Sequence, residues 1–174
     1  KMGNGSFDDK AHGVVHDQHA PGYGAEILNQ PILTGTNWSN VNGAVSDSGV
    51  GTVTIPADGT YSHFRNESMS YTEGAVYKVV ITVQGTAGKD IRVRSEVGSD
   101  NGGLTAATGR ITLTGNLQTE TFYFVSNDQD DDFRIERHDS DEAYSFDIHS
   151  VSLKKLNGYP GLTSGGPTFS SDTP

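Results

Sequence analysis

The sequence predicts an all-β protein, a two-sheet antiparallel β-sandwich, on three observations. Apolar residues recur at every second position in short segments, most plainly in Ala75–Val97 (AVYKVVITVQGTAGKDIRVRSEV), and that spacing lines one face of a strand rather than one stripe of a helix. β-branched residues dominate those segments, whereas Leu and Met, which favour helices, are scarce. Gly is abundant, with 22 among 174 residues, and turn-forming clusters separate the segments at roughly 8–12 residues, the rhythm of a sandwich. Barrel closure is the alternative.

Taken in order, residues 1–24 contain Gly3, Gly5, Gly13, Gly22 and Gly24 with only scattered apolar groups, too few to bury a core of their own. They predict an extended arm that is either disordered or ordered by lying on a neighbouring subunit. Ile27, Leu28, Ile32 and Leu33 around Pro31 predict an opening edge strand, and Trp38, Val41 and Val45 a second. Val50–Ile55 (VGTVTI) alternates and stops at Pro56-Ala57-Asp58-Gly59, a turn in which Pro sets φ and Gly permits φ > 0. Tyr61–Arg65 is the next short strand, and Asn66–Gly74 is polar and loop-like.

In Ala75–Val97, Tyr77, Val79, Ile81 and Val83 share one face; beyond the loop Gly85-Thr86-Ala87-Gly88, Ile91, Val93 and Ser95 share one face and Arg92, Arg94 and Glu96 the other. Two such runs joined by a short Gly-bearing loop predict a β-hairpin. Arg110–Thr114 and Thr119–Ser126 follow, the latter with Phe122 and Phe124 on the side opposite Tyr123. Asp128–Asp132 predicts a solvated hairpin turn, since Phe133 and Asp139 stand where an EF-hand loop needs Gly and Glu. Phe133 and Ile135 then alternate with Arg134 and Glu136. In the closing strand, Ala143–Leu153, the apolar parity changes between Ile148 and Val151, which predicts a β-bulge at His149-Ser150. From Asn157 the chain (NGYPGLTSGGPTFSSDTP) has the composition of a linker. The sandwich domain is expected over 25–156, between arm 1–24 and tail 157–174.

The formal charge of -10 argues against a nucleic-acid partner, which needs Lys and Arg gathered on one face to displace counterions. Without cysteine, neither disulfides nor thiolate metal sites can form. No apolar run has the length of a membrane span, and KMGNGSFDDKAHG has no hydrophobic region of a signal peptide. A chain opening at Lys1 fits processing, an excised fragment or a lost first residue equally.

The residues from Glu26 to Leu156 resemble the galactose-binding-like jelly rolls of carbohydrate-binding modules of the family 4, 9 and 22 type. The resemblance rests on an opening Glu26, Ile27, Leu28, Asn29 followed by Trp38, on a middle Gly74, Tyr77, Val79, Ile81, Val83, and on a closing Ile148, Val151, Ser152, Leu153. It implies a jelly roll of the sort found beside secreted glycoside hydrolases and in phage tail, fibre and capsid-decorating proteins. It also implies a core position for Trp38. The family's closing-strand Asp, which helps hold a structural calcium, is replaced here by His149 and Ser150. Glu26 and Asp147 are left as hard oxygen ligands for calcium, whereas an imidazole suits zinc or copper.

Tyr61, His63 and Tyr123 have outward parity and are candidates for a sugar platform. Arg92, Arg94 and Arg134 share that parity and can form a hydrogen-bonding patch for acidic sugars or a partner's carboxylates. The alternative is an ordinary solvated face with cross-strand bridges to Glu96 and Glu136. His12, His16 and His19 have metal-ligand spacing, but Gly13 and Pro21 argue against the helix that would align them. No pair of carboxylates sits in an apolar strand context, and no GxSxG, HExxH or phosphate-cradling loop occurs.

The expected function is therefore non-enzymatic: a virion-surface structural protein, either capsid decoration or a bacteriophage tail-fibre component, possessing a module that contacts host glycans. It would bind other virion or fibre subunits through residues 1–24 and 157–174 within an oligomeric assembly, on the virion surface or extracellularly, with no nucleic acid and no membrane. An accessory carbohydrate-binding module of a secreted polysaccharide-degrading enzyme is the alternative.

Overall fold

A computed structural model describes residues 22–47, 49–56, 62–96, 100–138 and 142–157. The arm through residue 21, the tail from residue 158, the three arm histidines and Tyr61 lie outside the described residues. Chain contacts divide the protein into Ala25–Lys155, which is the sandwich, and a second unit of Lys1–Gly24 with Leu156–Pro174.

Among the described residues there are eleven strands: β1 (Gly22–Glu26), β2 (Trp38–Val41), β3 (Ala44–Asp47), β4 (Val50–Ile55), β5 (His63–Asn66), β6 (Val76–Gly85), β7 (Asp90–Arg94), β8 (Arg110–Thr112), β9 (Gln118–Val125), β10 (Phe133–Arg137) and β11 (Tyr144–Asn157). They form two sheets. One has the order β3-β4-β11-β6-β9, with β1 also on β11; the other has the order β2-β5-β10-β7-β8. All the recorded pairings are antiparallel. The predicted sandwich is present.

Connectivity departs from the sequence reading. Only β3–β4 and β7–β8 are consecutive strands that pair with each other; elsewhere from β2 onward the chain passes from one sheet to the other. The predicted hairpin in Ala75–Val97 is one such passage. β6 lies between β11 and β9, and β7 lies between β10 and β8 in the opposite sheet. Alternation records which face of a strand is apolar, and two strands facing each other across a core have the same alternation as two strands in one sheet. Asn42 and Gly43, both at positive φ (52° and 93°), likewise turn the chain out of β2 into β3 of the other sheet.

The ends of the domain also differ. The opening strand is Gly22–Glu26, so Gly22–Gly24 of the predicted arm are strand. The segment around Pro31 is a loop that buries Leu28 and Leu33. The closing strand runs on to Asn157.

The inner faces follow the predicted parity. Tyr77, Val79, Ile81 and Val83 of β6 face Phe64, Ile91, Val93 and Ile135 from the other sheet in one core, and all are essentially inaccessible to water. Each such side chain contributes about 1.5–3 kcal/mol by burial. The bulge is where the parity change puts it: Ile148 pairs with Val83 and Ser150 with Thr82, leaving His149 as the extra residue, so Phe146 and Ile148 as well as Val151 and Leu153 point inward. Trp38 packs on the rim of this core and donates its indole N–H to the Asn29 carbonyl at 2.8 Å.

Close approach of the backbone limits substitution at Gly109. A Cβ there would lie 2.0 Å from the Val93 carbonyl oxygen, the strand that Gly109 itself receives a hydrogen bond from. Gly109→Ala is expected to lower stability by about 1–3 kcal/mol through forced backbone shifts, measured by urea unfolding. An unchanged midpoint would mean that this contact relaxes freely.

Candidate functional site

The outer face of the five-stranded sheet carries the site. On β5, β7, β8 and β10 the apolar residues Phe64, Ile91, Val93, Ile111 and Ile135 take the inner positions, so their neighbours are forced outward. Register then aligns those neighbours in two rows. One row runs Val41, His63, Glu136, Arg92, Arg110; the next runs Ser39, Arg65, Arg134, Arg94.

This face is a packed ionic layer. Glu136 is wholly inaccessible, and its Oε1 accepts from Arg92 Nε at 2.6 Å and Arg94 Nη1 at 3.2 Å, while Oε2 accepts from Arg134 Nη1 at 3.3 Å. Asp132, also inaccessible, lies 2.7 Å from Arg65 Nε and 3.6 Å from Arg134 Nη2. At the rim, Arg65 meets Glu67 at 3.5 Å and Arg94 meets Asp100 at 3.6 Å. Asp90 pairs with Arg110 and accepts from the Thr112 hydroxyl at 2.6 Å.

Burial sets the charge states. Desolvation, with the Arg134 charge, pulls His63 down from 6.5 to about 4, against the opposing pull of Glu136, so its imidazole is neutral at pH 7. Desolvation lifts Asp132 from 3.8 to about 6 even though Arg134 and Arg65 oppose it. At Asp90 burial acts in the same upward direction, but the hydrogen bonds from Arg110 and Thr112 prevail and its pKa is lowered.

Of the residues singled out from sequence, His63, Arg92, Arg94 and Arg134 come together here. Tyr123 does not. It lies on β9 of the opposite sheet, 57 % exposed, with Lys78 Nζ 5.8 Å from its ring centroid. The bridges to Glu136 exist but are not solvated, and Glu96 accepts the backbone N–H groups of Asn101 and Gly102.

The Asp128–Asp132 segment is not the solvated hairpin turn expected either. It passes between sheets. Asp130 accepts the N–H groups of Gly103 and Asn127 (both 2.8 Å) and the Ser95 hydroxyl, and Asp132 belongs to the buried layer.

Glu26 and Asp147 are apart. Glu26 accepts from the Leu153 N–H at 2.7 Å and the Ser152 hydroxyl at 2.6 Å, whereas Asp147 accepts from the Thr52 hydroxyl at 2.7 Å. The five steps of bulged strand from Asp147 to Ser152 span roughly 15 Å, so the pair does not converge on one ion.

Arg65 and Asp90 join the site without having been singled out, and Asp132 joins it from the segment expected to be a solvated turn. Arg65 was legible, because it has the same parity as His63. The two carboxylates precede or open their strands, where alternation has little to say.

No protein-family model and no curated protein matches this chain. Among solved structures it is similar in fold to carbohydrate-binding modules. The second N-terminal cellulose-binding domain of Cellulomonas fimi β-1,4-glucanase C is 23% identical, with a TM-score of 0.52 over 76% of this chain and 97% of that one. A family 29 carbohydrate-binding module variant complexed with mannohexaose gives a TM-score of 0.54 at 9% identity, over 78% and 92%. A family 4 module gives 0.50 at 18%, over 76% and 95%. At such identities the likeness is one of architecture: the chain is an all-β sandwich of the carbohydrate-binding-module type.

Proposed function

We propose that this chain is a non-catalytic glycan-binding jelly roll and that the outer face of its five-stranded sheet is the binding surface. The observation carrying this reading is the convergence of His63, Arg65, Arg92, Arg94 and Arg134 in two adjacent rows on one face of a module-type sandwich. Guanidinium groups held by neighbouring strands offer hydrogen-bond donors in fixed directions, which suits sugar hydroxyl and carboxyl oxygens.

A glycan array tests it. Wild type is expected to retain one class of glycan; Arg65→Ala, at a side chain 29% exposed, is expected to weaken that binding about tenfold or more, and Tyr123→Ala, on the other sheet, to leave it unchanged. Loss with Tyr123→Ala alone would move the site to the six-stranded sheet, and no retained glycan at all would end the proposal.

For the parent context we propose display on a virion or fibre surface, with residues 1–21 and 158–174 attaching the domain to neighbouring subunits. What supports this is the Gly-rich composition of both flanks, joined by Pro160, Pro167 and Pro174 in the tail. The competing context is a secreted polysaccharide-degrading enzyme carrying the chain as an accessory module. Portal and capsid genes beside the coding sequence support the first; a glycosidase domain in the same reading frame supports the second.

A further inference from the structure

We infer that the ligand of this face is an anionic saccharide, a sugar chain bearing carboxylate or sulfate groups; this rests on the glycan-binding reading above. All six arginines of the chain lie on β5, β7, β8 and β10, neighbouring strands of one sheet, and all but Arg137 project from its outer face. None of the six lysines is on those strands. In a protein of formal charge -10, this segregation sets five guanidiniums against the carboxylates of Glu67, Asp90, Asp100, Asp132 and Glu136, so the face is close to neutral where the rest of the molecule is strongly acidic.

The choice of side chain is informative. A guanidinium presents a planar fork that matches two oxygens of a carboxylate or sulfate, whereas an ammonium acts as a point charge. Four guanidiniums (Arg65, Arg92, Arg94, Arg134) share two fully buried carboxylates, Asp132 and Glu136. Donors therefore outnumber the acceptors inside the layer. The Nε of Arg134 is buried without a hydrogen-bond acceptor among the described residues. Two further counter-charges at the rim, Glu67 and Asp100, are 44% and 51% exposed and meet Arg65 and Arg94 at 3.5 and 3.6 Å. Such rim pairs are weak, and an incoming anion can replace them.

The strand positions of this face also lack the feature that neutral sugars use. Apart from the His63 imidazole they carry no aromatic ring, since Trp38 and Phe64 have inner parity. Among the described strand positions, the apolar face of a neutral hexose finds no ring other than His63 to stack upon.

The test is calorimetry on the intact chain with four probes: an oligogalacturonate, its methyl ester, a sulfated oligosaccharide and mannohexaose. The uronate or the sulfated probe is expected to bind, with the ester and mannohexaose at least tenfold weaker, and the stronger of the two anions identifies the source of charge. Arg65→Lys and Arg92→Lys, which keep the charge and lose the fork, are expected to weaken binding about tenfold; because both guanidiniums also hold buried carboxylates, each variant is titrated well below its own melting temperature, so that loss of binding is read on folded protein. Raising salt is expected to weaken it further. Equal affinity for ester and uronate, or no effect of either Lys variant, overturns the inference while leaving glycan binding in place. Failure of all four probes overturns the inference as well, while the glycan reading stands or falls with the array. Equal binding of a poly-glutamate peptide would show that the face selects carboxylates and not sugars, and would also overturn it.

Discussion

Glu136→Gln is expected to lower the unfolding free energy by about 3–5 kcal/mol, the largest effect of any single substitution on the charged face. Three guanidiniums, from Arg92, Arg94 and Arg134, converge on this one inaccessible carboxylate. The amide keeps the volume but carries no charge, and its NH2 group turns a donor toward guanidinium donors. The cost is then the desolvation of three cations whose shared counter-charge has gone. Glu142→Gln is the contrast. Glu142 pairs with Lys89 but is 70% exposed, so water and salt already screen it, and its loss is expected to cost less than about 1 kcal/mol. Denaturant unfolding of the two variants measures the difference, and equal small losses would mean that the buried layer is screened as a surface pair is.

The second large effect is a pair of opposite pH profiles. His63 stays neutral in the folded protein down to about 4, whereas the unfolded chain protonates it at its ordinary 6.5. Stability contributed by this group is therefore lost as pH falls from 6.5 toward 4. Asp132 behaves in the other sense: the folded protein holds its proton up to about 6, whereas the unfolded chain releases it at 3.8. Its contribution is lost as pH rises through that interval. Between about pH 4.5 and 6.5 each amounts to about 2 kcal/mol, so in the wild type the two slopes largely cancel. His63→Gln is expected to leave a protein that loses about 2 kcal/mol as pH rises across the window, and Asp132→Asn one that loses about 2 kcal/mol as pH falls across it. Urea midpoints at the two ends and the middle of the window read this directly; parallel profiles for both variants and wild type would show that neither group is linked to folding.

Much of the fold was legible in the chain because burial acts on one strand at a time. Tyr77, Val79, Ile81 and Val83 declare an inner face through their own alternation, and the parity change between Ile148 and Val151 declares a bulge, since a continuous strand would turn one apolar set to water. The same logic exposed Arg92, Arg94 and Arg134 as outward residues. It could not say that they would be buried: Glu136 on that outward face is inaccessible because neighbouring long side chains cover it.

What the sequence determined by itself is the identity of the inner and outer residues of each strand, and hence an all-β sandwich. Tertiary structure alone decided which strands are neighbours. Backbone N–H and C=O groups are alike in every strand, so they pair without regard to which residues carry them. β6 and β7, adjacent in the chain, face each other across the core, while β5, β10 and β7, distant in the chain, lie side by side. That arrangement gathers Arg65, Arg134, Arg92 and Arg94 onto one face and sends Tyr123 to the opposite sheet.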